Sequence, residues 1–148
     1  MRFTAPAVVG SSPVQRGLFD GRRTRRNPRV RVPEHVEQVA LMQWAALSLT
    51  RYPDLAWLYA IPNGGHRYAN VAKALKAEGV KSGVSDLHLP VAKRGYHGLW
   101  IEMKAAGGQV SSAQRAWLEG MRMLGHRAEM CRGFEAARTV LEDYLRED

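Results

Sequence analysis

Asp86, Glu102 and Lys104 are the residues of this chain whose types and spacing best suit them to chemistry. Asp86 opens one apolar run, and Glu102 and Lys104 stand two apart in the next, Ile101-Glu102-Met103-Lys104. A β-strand turns alternate side chains to opposite faces, so Glu102 and Lys104 share a face while Ile101 and Met103 point into the core. If the two runs form a hairpin centred on Arg94, Asp86 lies opposite Glu102, about 5 Å away at Cβ. Carboxylates that close repel unless a cation lies between them. The arrangement is that of a metal site with a lysine beside it, and oxygen ligands on neighbouring strands suit Mg²⁺ or Mn²⁺. The competing reading is a solvated salt-bridge face. Against it stand Val84, Leu87, Leu89, Leu99, Trp100 and Ile101, which make both strands apolar. His88 shares the face of Asp86 and would oppose Trp100; a packed or hydrogen-bonded histidine is the preferred reading over a ligand.

Around these strands the sequence predicts the order α-β-α-β-β-α-β-α. Pro33 opens a helix over 33–51, with Val36, Val39, Ala40 and Leu47 as its buried stripe. A strand over 56–61 ends in the turn residues Pro62-Asn63-Gly64-Gly65. A second helix, 66–78, stops at Gly79. The hairpin pairs 84–91 with 98–104 across Lys93-Arg94-Gly95. Ser111 or Ser112 caps a helix running to Leu124, and strand 126–131 and helix 134–145 complete the chain. The last strand is reached through a crossover helix and lies parallel to its predecessor. The expected architecture is an α/β fold with a four-stranded mixed sheet flanked by helices.

The 148 residues suffice for one domain with a core. No apolar run reaches the length of a membrane span, and no continuous apolar segment heads the chain as a secretory signal would, so a cytoplasmic protein is expected. Cys131, the single cysteine, reads as a small buried residue. The net charge of +8 is concentrated in residues 1–33, where eight arginines face one acid, Asp20. Glycines and prolines without apolar periodicity make this segment a flexible arm ahead of a domain over 34–148. Its Arg22, Arg23, Arg25, Arg26, Arg29 and Arg31 read either as a phosphate-binding element or as a solubilising tail.

The ordered motifs resemble the virus-type replication-repair nuclease (VRR-NUC) domain of the PD-(D/E)xK superfamily. They run from Glu34-His35-Val36-Glu37-Gln38 to Ile61-Pro62-Asn63-Gly64-Gly65-His66-Arg67. Next come Gly83-Val84-Ser85-Asp86 and Ile101-Glu102-Met103-Lys104, and last Ser111-Ser112-Ala113-Gln114. The resemblance covers residues 34–145. It implies a restriction-endonuclease-like core and a metal-dependent DNA endonuclease, with standalone members acting as homodimers on branched DNA such as four-way junctions. Asp86 and Glu102 would ligate the ion, joined by the backbone carbonyl of Met103. Lys104 would orient water or stabilise developing charge. The helix-one acid is Glu34 or Glu37, with Glu34 and Gln38 fitting the family's spacing better, as a ligand direct or through water. Gln114 would reach the site from its helix start, touching Lys104 or the phosphate. His66 and Arg67 would contact phosphate beside a helix N-terminus. Trp44, Trp57 and Tyr59 are candidates for a dimer seam or for core packing. Inside this class the alternative is a flap, nicking or restriction-type endonuclease; outside it stands a non-catalytic DNA-binding protein whose acids are purely structural.

Overall fold

The structure is a computed structural model that describes residues 32–62 and 69–146. Helix α1 (Glu34–Leu47) leads through a 3₁₀ turn (Pro53–Trp57) to the short strand β1 (Tyr59–Ala60). Helix α2 (Ala69–Ala77), strands β2 (Leu87–Leu89) and β3 (Leu99–Lys104), helix α3 (Ser112–Met123), strand β4 (Arg127–Arg132) and helix α4 (Gly133–Leu145) follow. The sheet order is β1-β2-β3-β4, with β3 antiparallel to β2 and parallel to β4. This is the four-stranded mixed sheet expected, with α3 as the crossover.

The hairpin register pairs Leu87 with Ile101, His88 with Trp100 and Leu89 with Leu99, so its ladder is centred on Arg94 as predicted. Arg94 and Gly95 both take positive φ, 54° and 79°, between the mutually bonded Lys93 and Tyr96. That is a two-residue type I′ turn, whose twist matches a hairpin's. Gly79 and Gly125, at φ 97° and 81°, end α2 and α3 in the same manner. In each, the glycine N–H returns to the carbonyl three residues back and the next N–H to the carbonyl five back, the pattern of a Schellman stop.

Two local expectations are corrected. Residues 53–57 form a 3₁₀ turn, leaving only Tyr59–Ala60 to pair with β2. Pro53 stands at the start of that turn, where its fixed φ and missing N–H suit a helical entry better than a ladder. The inward stripe of α1 is also not the one expected. Glu34, Glu37, Gln38, Leu41, Met42 and Ala45 face the fold, while Val39 and Leu47 are 54% and 87% exposed. Two sets of residues on α1 have helical spacing, and the half-polar one turns inward.

One face of the sheet carries the apolar core. Leu87, Leu89, Leu99, Ile101 and Met103 are fully buried there with Leu41, Ala137, Leu141 and Tyr144 of α1 and α4. Each of the leucine, isoleucine and methionine side chains contributes roughly 1.5–3 kcal/mol relative to exposure. The Tyr144 hydroxyl reaches the core's edge and donates to Val91 O at 2.6 Å. Cys131 is buried in the same cluster, and burial pushes its thiol up to about 12. The opposite face lies against α3, where Trp100 and Trp117 meet edge to face at 5.4 Å.

Candidate active site

Asp86 is the last residue before β2, and β3 carries Glu102 and Lys104. The ladder stops at Leu87 because the Asp86 side chain takes over the next rung: its Oδ2 accepts the Met103 N–H at 2.8 Å. Its backbone carbonyl accepts from Ile61 N at 2.7 Å, tying it to β1's end as well. The sequence that delivers Asp86 passes through Gly83 at φ 85°. A Cβ there would stand 2.5 Å from the Ala113 carbonyl carbon, so only glycine lets this loop lie against the start of α3.

Glu102 is fully buried, and Lys104 nearly so, on the face opposite Ile101 and Met103. The Lys104 ammonium donates to Glu102 Oε1 at 2.6 Å and to the Met103 carbonyl at 2.8 Å, with Glu34 Oε1 at 3.5 Å. The other oxygen of Glu34 accepts the Ala105 N–H at 3.3 Å. Glu34 therefore reaches the cluster, whereas Glu37, on the next turn, accepts Phe134 N at 2.8 Å at the start of α4. Of the two helix-one acids, the geometry brings Glu34 and not Glu37 to Lys104. Gln114 donates its amide to Glu102 Oε1, rather than reaching Lys104. Its amide oxygen accepts Ser111 N at 2.9 Å while Ser111 Oγ accepts Gln114 N at 3.2 Å, a complete capping box. The Ser-x-x-Gln spacing carried that signal in the sequence; the consequence, that the cap also fixes the amide on Glu102, did not show there.

Burial dominates the electrostatics. It raises Glu102 to about 7 against the opposing Lys104 hydrogen bond, with Asp86 and Glu34 repelling. Asp86 is raised too, chiefly by burial, although the Met103 N–H and Lys104 pull it down. Burial also works against the Lys104 ammonium, yet the hydrogen bond to Glu102 and the charges of Glu102, Glu34 and Asp86 hold it above the ordinary lysine value. A cluster that penalises negative charge this strongly favours a further cation. Among the described residues Glu102 Oε2 is sealed from solvent without a hydrogen-bond partner, which leaves a buried lone pair for one. The ammonium's own contacts, Glu102 Oε1 and the Met103 carbonyl, are oxygens a divalent ion would use, so the donor set fits a hard cation. Among the described residues no three His, Cys, Asp or Glu side chains gather into a ligand set, so the fit rests on the Asp86–Glu102 pair and the carbonyl.

His88 is a packed histidine. It stacks on Trp100 at 3.8 Å and shares a hydrogen bond of 2.8 Å with the Tyr59 hydroxyl, and burial lowers it to about 4, with His126 adding to the effect. Trp44 packs against the core, whereas Trp57 and Tyr59 are exposed. His66, Arg67 and the arginines Arg22, Arg23, Arg25, Arg26, Arg29 and Arg31 lie outside the described residues.

Residues 27–135 match the model of the VRR-NUC domain family. Among solved structures, one named "VRR_NUC domain protein" superposes with a TM-score of 0.67 at 25% identity, covering 77% of this chain and 88% of that one. No curated protein matches the chain in a sequence comparison.

Proposed function

The chain belongs to the VRR-NUC family, a nuclease of the PD-(D/E)xK type acting on DNA, and from that premise we propose that it is a divalent-metal-dependent endonuclease selective for branched DNA. The observation that carries the metal-dependent reading is the buried Glu102 oxygen, without a hydrogen-bond partner among the described residues, beside Asp86 and Lys104. Asp86, Glu102 and the Met103 carbonyl would hold Mg²⁺ or Mn²⁺, with Glu34 alongside. The ion supplies charge neutralisation at the phosphate and lowers the pKa of water. The chain's own groups do the rest. Lys104 places its ammonium against the acids, where it can shift to the negative charge that develops on the phosphoryl oxygens. Gln114 fixes the Glu102 carboxylate from a capped helix start, so the acid does not reorient on binding. The face closed by α3 keeps bulk water from weakening these interactions.

Selectivity for branched substrates is the family-based part of the proposal. Resolving a four-way junction takes two nicks, and a two-fold homodimer supplies two centres with one interface. The apolar side chains that α1 leaves outward, Val36, Val39 and Leu47, and the exposed Trp57 and Tyr59 offer surface for it. The basic segment ahead of α1 would add phosphate contacts whose strength falls with salt. The test is cleavage of four-way, flap and linear DNA in Mg²⁺ and Mn²⁺, with sedimentation in parallel. Expected are metal-dependent cuts in branched DNA by a particle of twice 16.6 kDa. Cleavage that survives EDTA, or a protein that binds these DNAs and cuts none, overturns the metal-dependent reading.

A further inference from the structure

Two histidines meet near the start of β3, away from the acid cluster. His88, on β2, is fixed from both sides: its ring stacks on Trp100 with 3.8 Å between centres and 15° between planes, and its Nδ1 shares a hydrogen bond of 2.8 Å with the Tyr59 hydroxyl. His126 is placed by the glycine stop of α3, where its N–H donates to the Met121 carbonyl at 3.0 Å before the chain enters β4. Each ring has one nitrogen left over. His88 Nε2 and His126 Nδ1 are sealed from solvent and have no hydrogen-bond partner among the described residues. Buried polar atoms are rarely left so, and here two converge. A Cβ added at Gly98 would stand 3.3 Å from His88 Nε2 and 3.2 Å from His126 Nδ1, with the Leu89 carbonyl at 3.0 Å. Gly98 is not at positive φ, so it is space and not backbone conformation that the glycine provides.

We propose that His88 and His126 are the protein ligands of a second metal site, which takes a borderline divalent ion such as Zn²⁺. Imidazole nitrogens suit zinc and its neighbours, whereas the carboxylates and carbonyl of the acid cluster suit a hard ion. The distances agree. Two imidazoles that share one zinc, each bonded at about 2.0–2.1 Å, have ring centres roughly 5–6.5 Å apart, and those of His88 and His126 are 6.1 Å apart. A water keeps about 3 Å from a nitrogen, so a space closed to water is still open to an ion bonded at the shorter distance. Tyr59 supplies what a ligated histidine needs on its far side: with the Nδ1 proton given to that hydroxyl, the lone pair of His88 is on Nε2. The exposed ring of His97 lies edge-on to His126, 5.9 Å between centres, and marks the side nearest solvent from which an ion enters. Along β3, Trp100 stands between Gly98 and Glu102. The ion therefore shares no ligand with the acid cluster. Its effect would be structural, joining β2 to the turn between α3 and β4.

The test uses the full chain, isotope-labelled at nitrogen, stripped with EDTA and returned to excess Mg²⁺ before Zn²⁺ is added. Histidine side-chain spectra should show His88 Nε2 and His126 Nδ1 shifting to the positions of ligated nitrogens at one equivalent of Zn²⁺. The melting temperature should rise with the ion, because it binds the folded chain. His126→Gln should lose both changes. Gly98→Ala keeps both imidazoles and fills the point between them, and it should lose them too. Tyr59→Phe removes only the hydroxyl behind His88 and should weaken Zn²⁺ on the order of tenfold. If His126→Gln does not fold, Gly98→Ala and Tyr59→Phe carry the comparison. A parent in which these two nitrogens do not shift, or a folded His126→Gln or Gly98→Ala protein that binds Zn²⁺ as tightly as the parent, overturns the proposal. None of these readouts involves cleavage, so the zinc site and the nuclease reading stand or fall separately.

Discussion

On one side of β3, Leu99, Ile101 and Met103 pack without exposure against α1 and α4; on the other, Glu102 and Lys104 lie under α3, almost as well hidden. The two faces share a backbone and nearly share a degree of burial, yet they act on stability in opposite directions. The first removes hydrocarbon from water and stabilises the fold. The second buries a carboxylate whose pKa rises to about 7 because its charged form is disfavoured there. An apolar residue at position 102 would meet no such penalty. Burial by itself is thus no guide to purpose; buried chemistry that works against stability is.

Substitutions on the two faces should separate activity from stability. Glu102→Gln keeps shape and removes the charge. It should lower kcat by on the order of a hundredfold to a thousandfold or more, while the melting temperature above pH 7 holds or rises because the disfavoured charge is gone. Ile101→Ala, one residue away, should do the reverse: a loss of about 2–5 kcal/mol of stability, with turnover retained at temperatures where the variant is folded. Circular dichroism melts and cleavage rates on the same preparations decide the matter. A Glu102→Gln protein that cuts at the parental rate, or an Ile101→Ala protein that is folded and inactive, would collapse the distinction between the faces.

The sequence made this face division legible because its signals there are local. Alternation along 99–104 and a hairpin centre at Arg94 fix which residues share a side, and glycine stops at 79 and 125 need only their own turns. On α1 the local spacing points to the wrong inward face, for a physical reason. Val36, Val39 and Leu47 have the spacing of a buried stripe, but Glu34 and Glu37 have partners only the tertiary fold brings near, Ala105 and Phe134. Those partners lie 71 and 97 residues away in sequence, beyond the reach of any local pattern. The same holds for Gln114 on Glu102 and for Gly83 against Ala113: the capping box and the glycine were visible, and what they pressed against was not.

Glu34 and Glu37 repeat the contrast between the faces on a smaller scale, one turn apart on α1. Glu34 faces Lys104 across 3.5 Å and belongs to the acid cluster. Glu37 accepts the Phe134 N–H in the first turn of α4, whose own N-cap residue, Arg132, provides no side-chain cap. It therefore does from a neighbouring helix what an N-cap side chain does from within, and its charge sits at the favourable end of the α4 dipole. Glu37→Ala should cost about 1 kcal/mol, and cleavage by the folded protein should stay near parental. Glu34→Ala should leave the melting temperature almost unchanged, since that carboxylate is partly exposed and its salt bridge is weak in water, and should reduce cleavage. Chemical denaturation read beside single-turnover rates distinguishes the two acids. Should Glu37→Ala abolish cleavage at full stability, the helix-one acid of the site would be Glu37, and the geometric assignment of Glu34 would fail.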